Sequence, residues 1–210
     1  MTVITAQMVK ELRDATGAGP KDCKTALETN DGDLQKAINF LREKGLAKAA
    51  KKLGAGRAMR EGLIETYVHF NKRLGVLVEV NCETDFVAAT DAFKIFTRDV
   101  AMHIANAAPE YINREEVPEA VVQAERDLQV RRAVEEGKPA AVAEKVAEGR
   151  MNKFFEEIVL MDQPFIKDDS KTIAQLLQEV VIDIGESIKI SRFSRFVLGE
   201  AAGAESQEAE

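Results

Sequence analysis

Tryptophan is absent from the 210 residues and tyrosine occurs only twice, which argues against a surface built to stack sugars or bases. Cysteine is equally sparse. Cys23 and Cys82 are too few for a disulfide framework and read as reduced, mostly buried thiols of a cytosolic protein. His69 and His103 are the only histidines, so a His/Cys metal centre is disfavoured and no metal is expected. No apolar run is long enough to span a bilayer, and the first residues lack a charged-then-apolar leader pattern. A cytoplasmic location without a membrane partner is therefore expected. Glycine loops that cradle nucleotides are missing as well, because Gly17-Ala18-Gly19-Pro20 and Gly54-Ala55-Gly56 follow no strand. No serine or cysteine has the local setting of a nucleophile. These absences argue against an enzyme, and no cofactor is expected.

What is present describes a foldable chain with a heavily charged surface: 45% apolar and 31% charged residues. Net charge is 29 − 36 = −7, which disfavours general attraction to nucleic acid, so no direct nucleic-acid contact is expected. The charge is uneven. Residues 42–60 carry Arg42, Lys44, Lys48, Lys51, Lys52, Arg57 and Arg60 against Glu43 alone, while the C-terminal tail is acidic. An adaptor that binds the ribosome or RNA through this basic stretch is the alternative such a patch raises.

The order of elements reads as α+β. Residues 1–45 form three short helices, capped at Thr5, opened by Pro20 and capped again at Asp33, with Met8, Val9, Leu12, Cys23, Ala26, Leu27, Leu34, Ala37, Ile38 and Leu41 as the inward faces. A basic linker follows at 46–61. Alternating residues 63–70 and 76–81 form a β-hairpin around Asn71–Gly75, and residues 188–198 are the third strand that two strands alone require. A helix near Asp91 presents Phe93, Phe96, Val100 and Ile104, with His103 at the edge of that stripe. Residues 117–160 carry stepped apolar positions, Val117, Val121, Ala124 and Leu128, then Ala147, Met151, Phe154 and Ile158, around Glu135-Glu136-Gly137-Lys138-Pro139. That pattern predicts a protruding antiparallel helical hairpin. Ser170 is the expected cap of a last helix, residues 62–199 make one sheet-and-helix core, and residues 200–210 are an acidic tail expected to be disordered.

One segment carries most of the functional information. Asn81-Cys82-Glu83-Thr84-Asp85-Phe86-Val87-Ala88 sits where a strand gives way to a helix. Two readings remain open from the residues alone. Thr84 can cap a helix whose first turn holds Asp85 and packs Phe86 inward, the commoner arrangement. Alternatively, Phe86 projects beside the Asp85 carboxylate as a wedge against another protein.

Val9-Lys10-Glu11-Leu12-Arg13-Asp14-Ala15-Thr16-Gly17-Ala18-Gly19 and Asp22-Cys23-Lys24-Thr25-Ala26-Leu27 are similar to a ubiquitin-associated-like module. With Lys48-Ala49-Ala50-Lys51-Lys52, Glu79 through Ala88, Ala101-Met102-His103-Ile104-Ala105, residues 143–151, Gln163-Pro164-Phe165 and Arg192-Phe193, they resemble, in order, one family. That family is elongation factor Ts, the guanine-nucleotide exchange factor of elongation factor Tu. The likeness covers residues 2–199 and is to the short form, with a single core unit. It implies that Thr84, Asp85, Phe86 and Val87 meet elongation factor Tu and dislodge its Mg²⁺, with His103 and Arg13 as supporting contacts. It also implies a homodimer as a further assembly, with the C-terminal strand offering an edge; Ser194 there provides no thiol for a covalent link. Pro20 and Lys21 depart from a pair of methionines common in the family, which removes a local apolar contact. A ubiquitin-type binding module, suggested by residues 1–45 alone, leaves Thr84–Val87 and the hairpin unexplained.

Overall fold

Helix boundaries in the first unit follow from short-range chemistry. A computed structural model of the chain describes residues 3–53 and 59–200, and for residues 46 and 48–53 the backbone alone. The Thr5 hydroxyl accepts the Met8 N–H and opens α1, Ala6–Thr16, which Gly17 closes at φ 66. Pro20 occupies the first turn of α2, Pro20–Thr29. The Asp33 carboxylate accepts the Lys36 N–H and starts α3, Leu34–Leu53. Leu12, Cys23, Ala26, Leu27 and Ala37 form the buried cluster of these helices. α3 continues through the first residues of the expected linker 46–61 as helix and a strand begins at Glu61; residues 54–58 lie outside the described residues, as does the acidic tail beyond Glu200.

The second unit is built on a hairpin. β1, Glu61–Val68, pairs antiparallel with β2, Leu74–Cys82, and β5, Ile188–Val197, pairs antiparallel with the other side of β2. The sheet order is therefore β1-β2-β5, with the C-terminal strand where the sequence places it. Gly62 is required here: at φ 143, an added Cβ would lie 2.1 Å from the Val80 carbonyl oxygen. Val76, Val78, Val80, Cys82, Ile188 and Ile190 form the buried face. Against β1 and β2 lies α5, Asp91–Ala107, burying Phe93, Phe96, Val100 and Ile104. Between sheet and helix sits the single turn α4, Asp85–Ala88.

The helical hairpin forms as α6, Glu119–Glu135, and α7, Ala140–Ile158. Gly137 at φ 83 closes α6, with Lys138 N–H donating to the Ala133 carbonyl. Ala143, Ala147 and Met151 bury one face of α7, and Arg150 grips the Glu136 carboxylate at 2.7 and 2.8 Å. On α6 the expected stripe is displaced: Val121 and Ala124 are exposed, and Ala133 is the buried residue.

A small two-stranded sheet, β3 (Pro164–Phe165) with β4 (Asp168–Thr172), precedes α8, Ile173–Ile184. The cap of α8 is Thr172, not Ser170. The Thr172 hydroxyl accepts the Gln175 N–H at 3.3 Å and the Gln175 side chain accepts the Thr172 N–H at 2.9 Å, a reciprocal box. Ser170 instead donates to Asp168 at 2.6 Å within β4. The chain divides into two compact units, Met1–Ala58 with Gln178–Ser187, and Met59–Leu177 with Ile188–Glu210.

Candidate functional site

The strand-to-helix junction is tied down on both sides. Cys82, buried at the end of β2, directs its thiol to the Thr84 carbonyl at 3.1 Å. Thr84 is extended (φ −134, ψ 153), and its hydroxyl accepts the Val87 N–H at 3.3 Å. At the far end Thr90 donates to the Val87 carbonyl at 2.7 Å and accepts the Phe93 N–H, starting α5. A four-residue helix alone has too few internal bonds to hold its shape. Two threonine caps supply what it lacks.

This frame decides the direction of each side chain. Val87 and Ala88 turn inward, 4% and 7% exposed, and anchor the turn. Thr84, Asp85 and Phe86 face solvent. Phe86 is 78% exposed, an uncommon fate for an aromatic, and it stands beside the Asp85 carboxylate. Both features read from the sequence are present together: the Thr84 cap forms, and Phe86 nonetheless points outward.

His103 is placed differently. It lies on α5 with no exposed surface. Nε2 faces the Gln163 side-chain oxygen at 3.0 Å, while Nδ1 faces the Ile166 N–H at 3.4 Å. Since the Ile166 N–H can only donate, Nδ1 accepts and Nε2 carries the proton, a neutral imidazole. Burial lowers the His103 pKa below its ordinary value, and the Gln163 hydrogen bond opposes that in part. Gln163, itself buried, donates onward to the Glu157 carbonyl at 2.9 Å and accepts the Ile173 N–H at its own carbonyl, 3.0 Å. One glutamine thereby joins α5, the end of α7 and the start of α8. Sequence reasoning marked Gln163-Pro164-Phe165 only as a family stretch; a lone buried amide has no periodic signal to reveal it. Arg13 lies on α1 with its side chain exposed, in the first unit. Among the described residues no cluster of His, Cys, Asp and Glu could hold a metal ion, and no helix is long and apolar enough to cross a membrane.

A family model described as elongation factor TS matches residues 5–200. The chain belongs to the elongation factor Ts family. Its likeness to individual relatives runs nearly end to end. Elongation factor Ts of Carboxydothermus hydrogenoformans is 59% identical over 198 residues, spanning 94% of this chain and 90% of the relative. That of Heliobacterium modesticaldum is 54% identical over 198 residues, spanning 94% and 91%. That of Geobacter sulfurreducens is 52% identical over 207 residues, spanning 99% and 94%. An elongation factor Ts chain is a translation elongation factor of the nucleotide-exchange kind, without catalytic chemistry of its own.

Proposed function

We propose that this elongation factor Ts chain binds elongation factor Tu carrying GDP and accelerates release of the nucleotide, so that GTP can load. The observation that supports this most directly is the exposure of Phe86, 78%, on a turn fixed by Thr84 and Thr90. A wedge must be both apolar and rigidly mounted, because a mobile side chain spends binding energy on its own ordering. Phe86 inserts between helices of the GTPase, and Asp85 disturbs the network that holds Mg²⁺ there. Thr84 sets the turn, and Val87 anchors it from beneath. Mg²⁺ and the backbone amides around the phosphates supply much of the affinity for GDP, so displacing them weakens the nucleotide selectively. Nucleotide and exchange factor then loosen each other equally, as linkage requires. A coupling of about 3 kcal/mol corresponds to roughly a hundredfold in affinity.

His103 acts on this site through position rather than contact, since it is buried and its partners are Gln163 and Ile166. Arg13 and the three-helix module of residues 1–45 grip the GTPase, and the helical hairpin 117–160 orients the complex. The work is done in the cytoplasm and needs neither membrane nor nucleic acid. Two chains pair as a homodimer, for which the solvent face of the three-stranded sheet is the supporting feature. Leu77, Val68 and Phe196 are 48%, 63% and 70% exposed there.

The test is release of a fluorescent GDP analogue from elongation factor Tu. The wild type should accelerate it strongly, and Phe86→Ala should lose at least ~10-fold of that acceleration, the scale of an interface hot spot. Full acceleration by the alanine variant would move the lever away from Phe86. No acceleration by either would sink the exchange reading.

A further inference from the structure

The three-stranded sheet has two outer edges, and they are built differently. β5 carries Lys189, Arg192 and Arg195, and its pairing shifts register opposite Glu79 and Val80. Charges and bulges of this kind keep an edge from accepting another strand. β1 reads Glu-Gly-Leu-Ile-Glu-Thr-Tyr-Val, without lysine, arginine or proline, and its register with β2 is unbroken. Ile64 and Val68 on it are 62% and 63% exposed.

The hairpin fixes which backbone groups of β1 are free. His69 N–H donates to the Leu74 carbonyl at 2.9 Å, so residues 69 and 74 form a bonded pair. Alternation along an antiparallel ladder then assigns Tyr67, Glu65 and Leu63 to bonded positions. Ile64, Thr66 and Val68 therefore turn their N–H and C=O groups away from β2. One contact on this edge agrees: Thr66 N–H donates to the carboxylate of its own neighbour, Glu65, at 3.0 Å. A carboxylate already sits where an incoming strand would place its acceptor.

Beside this edge runs a groove lined by Glu65, Thr66, Tyr67 and Val68 from β1 and by Lys94, Ile95 and Arg98 from α5. Ile95 is 61% exposed, and both cations are exposed. Neither cation has an ion-pair partner among the described residues. Like charges four apart on a helix repel one another, and Glu65, the one carboxylate that lines the groove, is turned to the Thr66 N–H. An apolar centre flanked by two cations against one carboxylate, next to outward-facing strand N–H and C=O groups, favours an acidic occupant.

We propose that the outer edge of β1 is a docking site for an extended acidic peptide of a partner protein, added as a fourth antiparallel or parallel strand. Its backbone bonds Ile64, Thr66 and Val68, its carboxylates meet Lys94 and Arg98, and an apolar side chain covers Ile95. A second copy of this chain fits less well, because pairing two β1 edges would bring the cationic faces of two α5 helices together.

The probe is a capped octapeptide whose odd positions alternate glutamate and valine and whose even positions are threonine, so that one face carries both, with the lysine-for-glutamate analogue as control, added to the full chain. Backbone amide exchange is followed by NMR. The glutamate peptide should slow exchange at Ile64, Thr66 and Val68 by ~10-fold or more, and leave Glu65 and Tyr67, already bonded, unchanged. Lys94→Glu with Arg98→Glu should abolish the effect. So should Thr66→Pro, which an edge strand tolerates because that N–H serves no ladder bond. No slowing, or equal slowing by the lysine peptide, overturns the proposal. Protection without peptide that grows with protein concentration would give the edge to a second copy instead. Protection that disappears on removing residues 200–210 would give it to the chain's own tail.

Discussion

A step of about 100° around a helix separates Phe86 from Val87, and that step divides the work of the motif between them. Val87 is inside and Phe86 is outside. The sequence showed a cap and an aromatic but not the rotation of the turn, because four residues are too few to display a period. What fixes the rotation is the pair of threonines: Thr84 was recognisable as a cap, whereas Thr90 acts twice and was not. At the edge of an apolar stripe His103 reads as a packed side chain, to which the family likeness adds a supporting contact, and it is fully buried against Gln163. Its chemistry has a consequence for stability. With the folded-state pKa lowered by burial, the unfolded chain takes up the proton first, near the ordinary value of about 6.5. The stability that neutral His103 supports is therefore complete above that pH and is lost as pH falls toward the lower folded value. A second proton would also set Nδ1–H against the Ile166 N–H, two donors face to face. Urea unfolding of the wild type and of His103→Asn should show a stability difference that shrinks as pH falls from 7.5 to 5. A difference independent of pH would mean that His103 does not titrate across the unfolding transition.

Among the elements, legibility followed the strength of the periodic signal. The hairpin β1–β2 alternates cleanly and Thr5, Pro20 and Asp33 mark the starts of the N-terminal helices, so those positions could be read from the sequence, whereas the end of α3 at Leu53 could not. α6 could not be read to the same depth, because its valines, alanines and leucine are spread around the helix and no single stripe outcompetes the others. Val121 and Ala124 are exposed, while Ala133 is buried near the turn. β3 and β4 escaped notice because Asp168-Asp169-Ser170-Lys171 has the composition of a loop. In the same stretch two hydroxyls competed for one role. Ser170 is the better cap by propensity, but β4 holds its backbone and Asp168 takes its hydroxyl, leaving Thr172 with Gln175 to form the box. Thr172→Ala should destabilise the chain by about 1 kcal/mol. Ser170→Ala should change stability by less than about 0.5 kcal/mol, as an exposed polar change does. Thermal unfolding of both variants checks the assignment, and a reversed order would return the cap to Ser170.

For the whole molecule, the question is what covers the solvent face of the sheet. Register places Thr66, Leu77 and Ser194 in one row across it, with Val68, Gly75 and Phe196 in the next. Glu79 and Arg192 pair at 2.6 Å beyond them, so the apolar rows are bounded by an ion pair on that side. A monomer seldom leaves so continuous an apolar patch open, and two such faces can stack at about 10 Å as the halves of a sandwich. The sequence pointed to pairing but placed it at the edge of the C-terminal strand. That edge is the charged, bulged one, so the face is the better candidate. Gly75 leaves a gap in the second row that a Phe196 from the facing sheet can fill, which makes Phe196 the residue to alter. Sedimentation equilibrium should find the wild type as a dimer and Phe196→Glu as a folded monomer, since the carboxylate would be buried unpaired in the stacked form. A wild type that remains monomeric at concentrations of order 100 μM, weaker than about 5.5 kcal/mol of association, would leave the face without a self-partner.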